Sequence, residues 1–559
     1  MRRLFYLKGG IKLKSHKKVT TARNVKQALL PKKLVLPLNQ HIGEAAKPIV
    51  AVGDKVLKGQ LIARATSQIS SPVHASSSGT VVAIADHDIP HPSAKRTTCI
   101  IIETDGEERW EPRPEPLTDY LQLAPETVRQ GVRDAGIVGM GGAGFPAHVK
   151  LSPDGNAVET LILNAAECEP YISCDEMLLR DHAAEVVEGL RIMRHALQAK
   201  HCIIGIENDK LQAFKLLEAI LRNSEEQDIE LVQVPTVYPA GGEKQLIQVL
   251  TGKEVPSNGL PLDVGVVCHN VGTAYAVQRA IKFNEPLISR YVTIAGSVAK
   301  QGNLEALIGT PISDLIEQSG GNLQTLNRVI MGGPMMGMAL PSTDVPMVKT
   351  TNCILINSAI DDAPIASRGA HVLPCIRCGN CATVCPVHLL PQQLYWYARA
   401  KDFDKVQDYK LFDCIECGCC DYVCPSQIPL VHYYRYAKTE IWAQEQEKQQ
   451  ADIARERHQF REQRQQREKQ ERAQRHKKKR AALDKKDSAE DPKKAAIQAA
   501  MERVRAKREA ASVAPKNVAD LTPQQQQLIA EADARRRNKG KRTIINRVPE
   551  DTSSEESAS

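Results

Sequence analysis

The stretch Cys375-Ile376-Arg377-Cys378-Gly379-Asn380-Cys381-Ala382-Thr383-Val384-Cys385-Pro386 decides how this chain is read. It recurs as Cys414-Ile415-Glu416-Cys417-Gly418-Cys419-Cys420-Asp421-Tyr422-Val423-Cys424-Pro425. Both follow C-x2-C-x2-C-x3-C-P, the spacing that presents thiolates to a cubane iron–sulfur cluster. The tight turn aims three thiolates at one cube, and the fourth cysteine usually serves the other cube. The expected ligand sets are Cys375, Cys378, Cys381 and Cys424 for one 4Fe-4S cluster, and Cys414, Cys417, Cys420 and Cys385 for the second. Zinc knuckles or disulfides fit a doubled run of this spacing far less well. Cys419 is read as a packing thiol. A chain with two such runs carries electrons.

Composition narrows what surrounds the clusters. At 559 residues the chain can hold several cores. The seven cysteines outside the two ligand sets are scattered without a disulfide-like pattern, and there is no secretory signal, which fits a reducing cytosol. No stretch approaches the roughly 18 apolar residues of a membrane span. Of the 74 Lys+Arg and 66 Asp+Glu, residues 443–559 hold 29 and 20, so the net charge of +8 belongs to the tail. That tail is Gln-, Glu-, Lys-, Arg- and Ala-rich and should be disordered or a transient single helix. Its run His476-Lys477-Lys478-Lys479-Arg480 lacks interleaved aromatics and sits among acids, so no nucleic-acid partner is expected. Attraction to anionic lipid fits better, at about 1 kcal/mol per well-placed basic residue.

Working back from the cysteines, residues 290–340 form a small unit. Tyr291–Gly296 is strand-like, and Pro311 opens a short helix that Gly320-Gly321 closes. Residues 117–285 alternate apolar strand runs (160–163, 202–206, 229–234) with helical stretches (183–197, 211–222), which predicts an α/β domain with a largely parallel sheet. Trp110–Pro116 reads as a linker. Residues 48–104 alternate apolar and turn residues and read as a barrel-sandwich β module of the lipoyl type. A carrier would need a lysine between its two halves, and 64–79 contains none, which favours a structural module. The stretch between the two cysteine runs, Leu389–Leu411, is predicted helical.

The second informative segment is Gly139-Met140-Gly141-Gly142-Ala143-Gly144-Phe145-Pro146. Closely spaced glycines let backbone amides turn toward a ligand, and such a loop suits phosphate. Alone it is weak, and its spacing is not the Gly-x-Gly-x-x-Gly dinucleotide fingerprint. Three polar segments just past apolar runs strengthen it: Asn164-Ala165-Ala166-Glu167-Cys168-Glu169-Pro170, Tyr238-Pro239-Ala240-Gly241-Gly242-Glu243-Lys244 and Asn270-Val271-Gly272-Thr273. Open α/β sheets bind ligands at such strand ends.

These segments resemble the flavin- and NADH-binding subunit of respiratory complex I. With the β module before them and the doubled ferredoxin motif after them, residues 1–440 resemble the RnfC (RsxC) family, whose members are subunits of the Rnf electron transport complex. The resemblance implies a multidomain α/β architecture. It comprises an N-terminal region (1–115) with the barrel-sandwich module, an α/β FMN/NADH domain (116–286), a β-grasp, soluble ligand-binding domain (287–345) and a helical two-cluster ferredoxin-type domain (365–440). The basic tail (445–559) follows. It further implies FMN lined by Gly139, Gly141, Gly142 and Gly144, and Lys150 contacting flavin or nucleotide. Phe145 would stack on the adenine side of NADH. Asn164 and Glu167 would bond FMN, with Glu169 nearer the nicotinamide. Tyr238 and Glu243 would close the pocket, and Asn270 and Thr273 would bind the phosphate end. Met140, Ala166 and Gly242 depart from the complex I pattern, which has arginine, an acid and glutamate there.

By the same resemblance the chain is the NADH-side subunit of an ion-translocating ferredoxin:NAD oxidoreductase. It would be peripheral on the cytoplasmic face of the bacterial inner membrane and held there by partner subunits. NADH yields two electrons as hydride while a cube accepts one, so a flavin between them reconciles the stoichiometry. No side-chain nucleophile or general acid is required. The alternative is a flavin-free iron–sulfur adaptor whose α/β domain only docks partners.

Overall fold

The computed structural model describes residues 3–91, 93–117, 119–153, 155, 157–223, 228–326, 328–356, 372–484, 492–510 and 522–541. Residues 365–371 of the expected ferredoxin region therefore lie outside the described residues. Two compact units are present, Met1–Glu447 and Lys448–Ser559.

The centre of the first unit is a four-stranded parallel sheet. Its strands are β1 (Thr160–Ala165), β2 (His201–Glu207), β3 (Ile229–Val234) and β4 (Val266–Asn270), in the order β3-β2-β1-β4. The central pair is apolar on both faces: Leu161, Ile162 and Leu163, with Cys202, Ile203, Ile204 and Ile206, are all buried. Strands covered by helices on both sides require this. Helices α1 (Cys174–Leu197), α2 (Leu211–Arg222) and α3 (Glu243–Thr251) supply the crossovers, and α4 (Val271–Phe283) follows β4. Strand order reverses at β1, so the crevice at the C-terminal ends of β1 and β4 is a topological switch point. Asn164 and Asn270 are register partners there.

The barrel-sandwich module stacks a four-stranded sheet, ordered 33–37, 96–104, 79–88, 55–56, on a three-stranded one, 47–48, 61–64, 73–74. Strand Lys33–Pro37, with Leu34 and Leu36 fully buried, extends the module below the expected start at 48. The tip where a carrier would display its lysine is docked instead. Arg133 Nη2 donates to Ser67 O at 3.2 Å, and His148 Nε2 lies 3.0 Å from Gln68 O.

Lys349, fully buried, completes this junction. Its Nζ donates to Ser71 Oγ (3.2 Å), Pro72 O (2.8 Å) and Gly136 O (2.6 Å), joining three domains. Burial pushes its pKa down to about 7. Lys349→Met leaves three acceptors without their donor and should cost at least about 2 kcal/mol. Unfolded, the lysine holds a proton up to its ordinary value of 10.5, whereas the folded chain releases it above about 7. That difference in bound protons lowers the stability of wild type as pH rises from about 7 toward 10.5 only if folding takes up protons; here folding releases one, so stability rises with pH across that window. The gap between wild type and Lys349→Met in denaturant unfolding should widen from pH 7 to pH 9.

The sheet of the β-grasp domain takes in strands from outside 287–345. It is six-stranded and runs 26–27, 302–307, 289–296, 353–356, 329–331, 338–339. Cys353–Ile356 pairs in parallel with Ser289–Gly296 near the centre of the sheet, and Lys26–Gln27 forms one edge. The predicted short helix is Ile312–Gln318, with Pro311 at its N-cap.

The cluster domain has its own core around Leu394, Val406, Leu411 and Tyr434. Helices Pro391–Ala400 and Phe403–Asp408 join the two cysteine runs, as predicted. The helix beginning at Leu430 contributes Tyr434, whose hydroxyl donates to Pro391 O at 2.6 Å.

In the second unit the described residues are helical: the continuation of Leu430–Asp484, then Pro492–Ala510 and Pro523–Lys541. Of the two expected forms, the described tail residues show the helical one, as three helices rather than a single one. Ala, Gln, Glu, Lys and Arg have high helix propensity without needing a buried face, and the described side chains here are almost all exposed. Among the described residues no helix is long and apolar enough to cross a membrane.

Candidate functional site: a glycine loop beside two cysteine nests

The glycine loop is closed by the Val138–Pro146 bridge and by Gly139 N donating to Phe145 O at 2.8 Å. Gly142 and Gly144 have φ of +117° and +67°, conformations that L side chains rarely adopt. Met140 N donates to Thr273 Oγ1 (3.0 Å), and Arg290 Nη2 donates to Met140 O (3.3 Å). The barrel-sandwich module also grips the loop, Ile42 N donating to Gly144 O at 3.1 Å. Between these anchors Gly141, Gly142 and Ala143 are exposed. Among the described residues no backbone carbonyl accepts from their amides. The loop lies against the start of α4, where Asn270 caps the helix by accepting from Gly272 N at 2.8 Å. Free amides beside a helix N-terminus form an electropositive cradle that fits a phosphate group.

Most of the expected residues gather around this crevice. Asn164 Nδ2 donates to Gly241 O (2.8 Å) while its Oδ1 accepts from Ala166 N (2.9 Å). Lys150 Nζ donates to Glu243 Oε1 (2.7 Å) and to Cys268 O (2.6 Å) on β4. Asn270 Nδ2 donates to Asp175 Oδ2 at 2.6 Å. Phe145 is half-buried at the end of the loop.

Four expected residues are placed differently. Thr273 is fully buried and spends its hydroxyl oxygen on the Met140 amide, so it shapes the loop. Glu167 is buried, Oε1 accepting from Asp175 N (3.0 Å) and Oε2 lying 3.8 Å from Lys17 Nζ. Glu169 turns to the β-grasp domain, where it accepts from Met335 N (3.1 Å) and Met336 N (2.8 Å). Burial pushes its pKa up to about 7 against those two bonds. Gly333 makes room, since a Cβ there would lie 2.2 Å from Glu169 Oε2. Tyr238 faces the cluster domain rather than the crevice, and its buried hydroxyl donates to Cys417 O at 2.7 Å.

Sequence reasoning missed the charged groups beneath the crevice. Arg290, Lys17, Lys210 and Glu207 are buried, Asp175 is half-buried, and all close around Glu167. Burial and the Glu167 carboxylate push Asp175 up to about 7. The carboxylates Glu207, Glu167 and Glu176 hold Lys210 protonated above its ordinary value although burial opposes it.

The two cysteine runs repeat one backbone. Arg377 and Glu416 have φ of +57°, Gly379 and Gly418 of +81° and +76°, and His388 and Gln427 of +53° and +54°. Left-handed non-glycine residues cost about 1–2 kcal/mol each, and strain of this kind concentrates at functional sites. One cavity is lined by Cys375, Cys378, Cys381 and Cys424, the other by Cys385, Cys414, Cys417, Cys419 and Cys420. Each cavity thus holds the first three motif cysteines of one run and the last of the other, and the second also has Cys419 on its wall. The first opens to solvent at the exposed Cys378. The second is the inner one: Cys385, Cys417 and Cys420 are buried, and Gly418 packs on Met335 of the β-grasp domain. Cys419 is buried with Ile11, Tyr238 and Met335.

Four family models match the chain in succession. They are the RnfC barrel sandwich hybrid domain (5–107), the Nuo51 FMN-binding domain (132–279), the SLBB domain (291–339) and the 4Fe-4S dicluster domain (374–428). This is the architecture of the RnfC family. FMN and two-cluster 4Fe-4S domains are therefore both present, and NAD(H) as substrate is consistent with the Nuo51-like domain. Among solved structures, the NAD+-reducing [NiFe]-hydrogenase in its H2-reduced state matches at 20% identity and TM-score 0.42, covering 57% of this chain and 63% of that chain. The same hydrogenase in its air-oxidized state matches at 23% and 0.39, covering 53% and 59%. The chain thus spans less than two thirds of the length of either.

Proposed function

We propose that this chain is the NAD(H)-side subunit of a membrane-bound, ion-translocating electron transport complex. It passes electrons between NAD(H), FMN and two 4Fe-4S clusters to partner subunits, and docks peripherally on the cytoplasmic face of the inner membrane through those partners. The observation that carries the reading is the bond from Tyr238 of the flavin domain to Cys417 O of the inner cysteine group. It fixes that group beside the loops expected to hold the flavin.

FMN would be held by the amides of Gly141, Gly142 and Ala143, with Asn164 and Asn270 at the switch point. When bound, it supplies acceptance of a hydride and release of electrons one at a time. The cysteines supply thiolates to the cubes, inner set Cys414, Cys417, Cys420 and Cys385, outer set Cys375, Cys378, Cys381 and Cys424. Burial of Cys385, Cys417 and Cys420 excludes water from the inner set, and exposure at Cys378 gives a partner access to the outer set. Electrons would pass in the order crevice, inner nest, outer nest, partner.

The test is anaerobic purification of the full chain, assay of iron, sulfide and FMN, then addition of NADH. About eight irons and one FMN, both bleached by NADH, are expected. Eight irons without flavin and without a response would leave the iron–sulfur adaptor.

A further inference from the structure

The segment 9–21 belongs by position to the barrel-sandwich region, yet it runs between the three other domains of the first unit. Gly10 N donates to Val384 O (2.9 Å) in the first cysteine run. Ile11 exchanges two backbone bonds with Tyr238, at 2.8 and 3.0 Å. Tyr171 N donates to Ser15 O (2.8 Å), and the His16 ring stacks on Tyr171 with centroids 4.7 Å apart. Asn303 Nδ2 donates to Thr20 O (3.0 Å) in the β-grasp domain, and Ser173 Oγ to Thr20 Oγ1 (2.8 Å). The segment straps the loops 167–173 and 235–242 to the inner cysteine nest.

Lys17 is the one charged side chain that this strap buries. Its ammonium donates to the Glu167 carbonyl and lies 3.8 Å from Glu167 Oε2, a buried oxygen with no hydrogen-bond partner. From Glu167 a continuous line of contacts leads to the glycine loop. Glu167 Oε1 accepts from Asp175 N at 3.0 Å. Asp175 Oδ2 accepts from Asn270 Nδ2 at 2.6 Å. A Cβ on Gly141 would lie 3.4 Å from Asn270 Cβ. Glu167 is a buried carboxylate with the half-buried Asp175 beside it, and charges so placed are tolerated only when paired. Lys17 partners the first, while Asn270 holds the second. Burial and the neighbouring Lys210 lower the Lys17 pKa, and Glu167 and Glu207 oppose them.

We propose that Lys17 is a positioning residue of the flavin site: it sets Glu167, and through Asp175 and Asn270 it sets the glycine loop for FMN. This rests on the flavin reading above. Without Lys17, Glu167 loses the ammonium 3.8 Å from Oε2 and keeps only the charge of Lys210, its repulsion with Asp175 grows, Asn270 loses its fixed partner, and the loop amides lose their aim.

The test uses the full chain, purified anaerobically as wild type, Lys17→Met, Lys17→Gln and Lys17→Arg. Bound FMN, the FMN dissociation constant by flavin fluorescence, iron content and thermal unfolding are measured on each. Lys17→Met and Lys17→Gln should weaken FMN binding at least tenfold with iron unchanged, and Lys17→Arg should restore most of it. Gln matters because it can still donate to the Glu167 carbonyl but carries no charge, and it is the variant read if Met does not fold. FMN binding within twofold of wild type in either uncharged variant would overturn the proposal, as would an Arg variant as poor as Met. A wild-type chain with its irons but no affinity for FMN would overturn the flavin reading and this inference with it. A wild-type chain that binds FMN beside unaffected variants would overturn this inference alone.

Discussion

Cys424→Ala should remove the cluster of the first cysteine run and leave the cluster of the second, although Cys424 belongs to the second run in sequence. The reason is geometric. Cys424 lines the same cavity as Cys375, Cys378 and Cys381, while Cys385 lines the cavity of Cys414, Cys417 and Cys420. Iron should fall from about eight to about four per chain. Pairwise variants identify which cube is lost, because ligands of one cube act as a unit and effects on separate cubes add. Cys375→Ala with Cys424→Ala should lose no more iron than either alone, whereas Cys414→Ala with Cys424→Ala should lose nearly all. The opposite pattern would show that each run holds its own cube and that the crossing is wrong.

Gly142→Val should abolish FMN binding while leaving the irons in place. Space is not the obstacle, since no atom lies within 4 Å of where a Cβ at Gly142 would be. The obstacle is the backbone, whose φ of +117° costs a β-branched residue about 1–3 kcal/mol. The exposed loop can relieve that strain by rotating its peptides, because its anchors lie outside it, at Gly139, Met140 and Gly144. Rotation turns the amides of 141–143 away from the crevice, and an electropositive cradle depends on their common aim. Flavin content should drop more than tenfold, with iron and the unfolding midpoint close to wild type. A Gly142→Val chain that retains FMN would show that the loop is not the phosphate cradle.

Features carried by local spacing were legible in the sequence. The cysteine runs, the glycine loop, the parallel sheet and the helix 211–222 all announce themselves within a few residues of each other, through fixed spacing or periodicity. Side-chain direction was less legible. Glu169 and Tyr238 lie in loops whose residues suggest a flavin pocket, yet Glu169 is drawn to the amides of Met335 and Met336, and Tyr238 to Cys417 O, across 166 or more residues of chain. Nothing local marks such partners. Two strands that join the β-grasp sheet from outside 287–345 were not legible for a related reason. Lys26–Gln27 is too short to show alternation, and Cys353–Ile356, buried at every position, has none. Lys17 gave no signal at all, because a lysine in a basic stretch reads as surface until its partner 150 residues away is known.

The proposed order of the relay, crevice to inner cube to outer cube, can be measured directly. The full Cys424→Ala chain, lacking the outer cube and retaining FMN, is mixed anaerobically with NADH, freeze-quenched, and its remaining cluster followed by paramagnetic resonance. The inner cube, beside Tyr238, is expected to be reduced at the wild-type rate. An inner cube that stays oxidised in this variant while NADH reduces both cubes of the wild type would contradict that order, placing electron entry at the outer group.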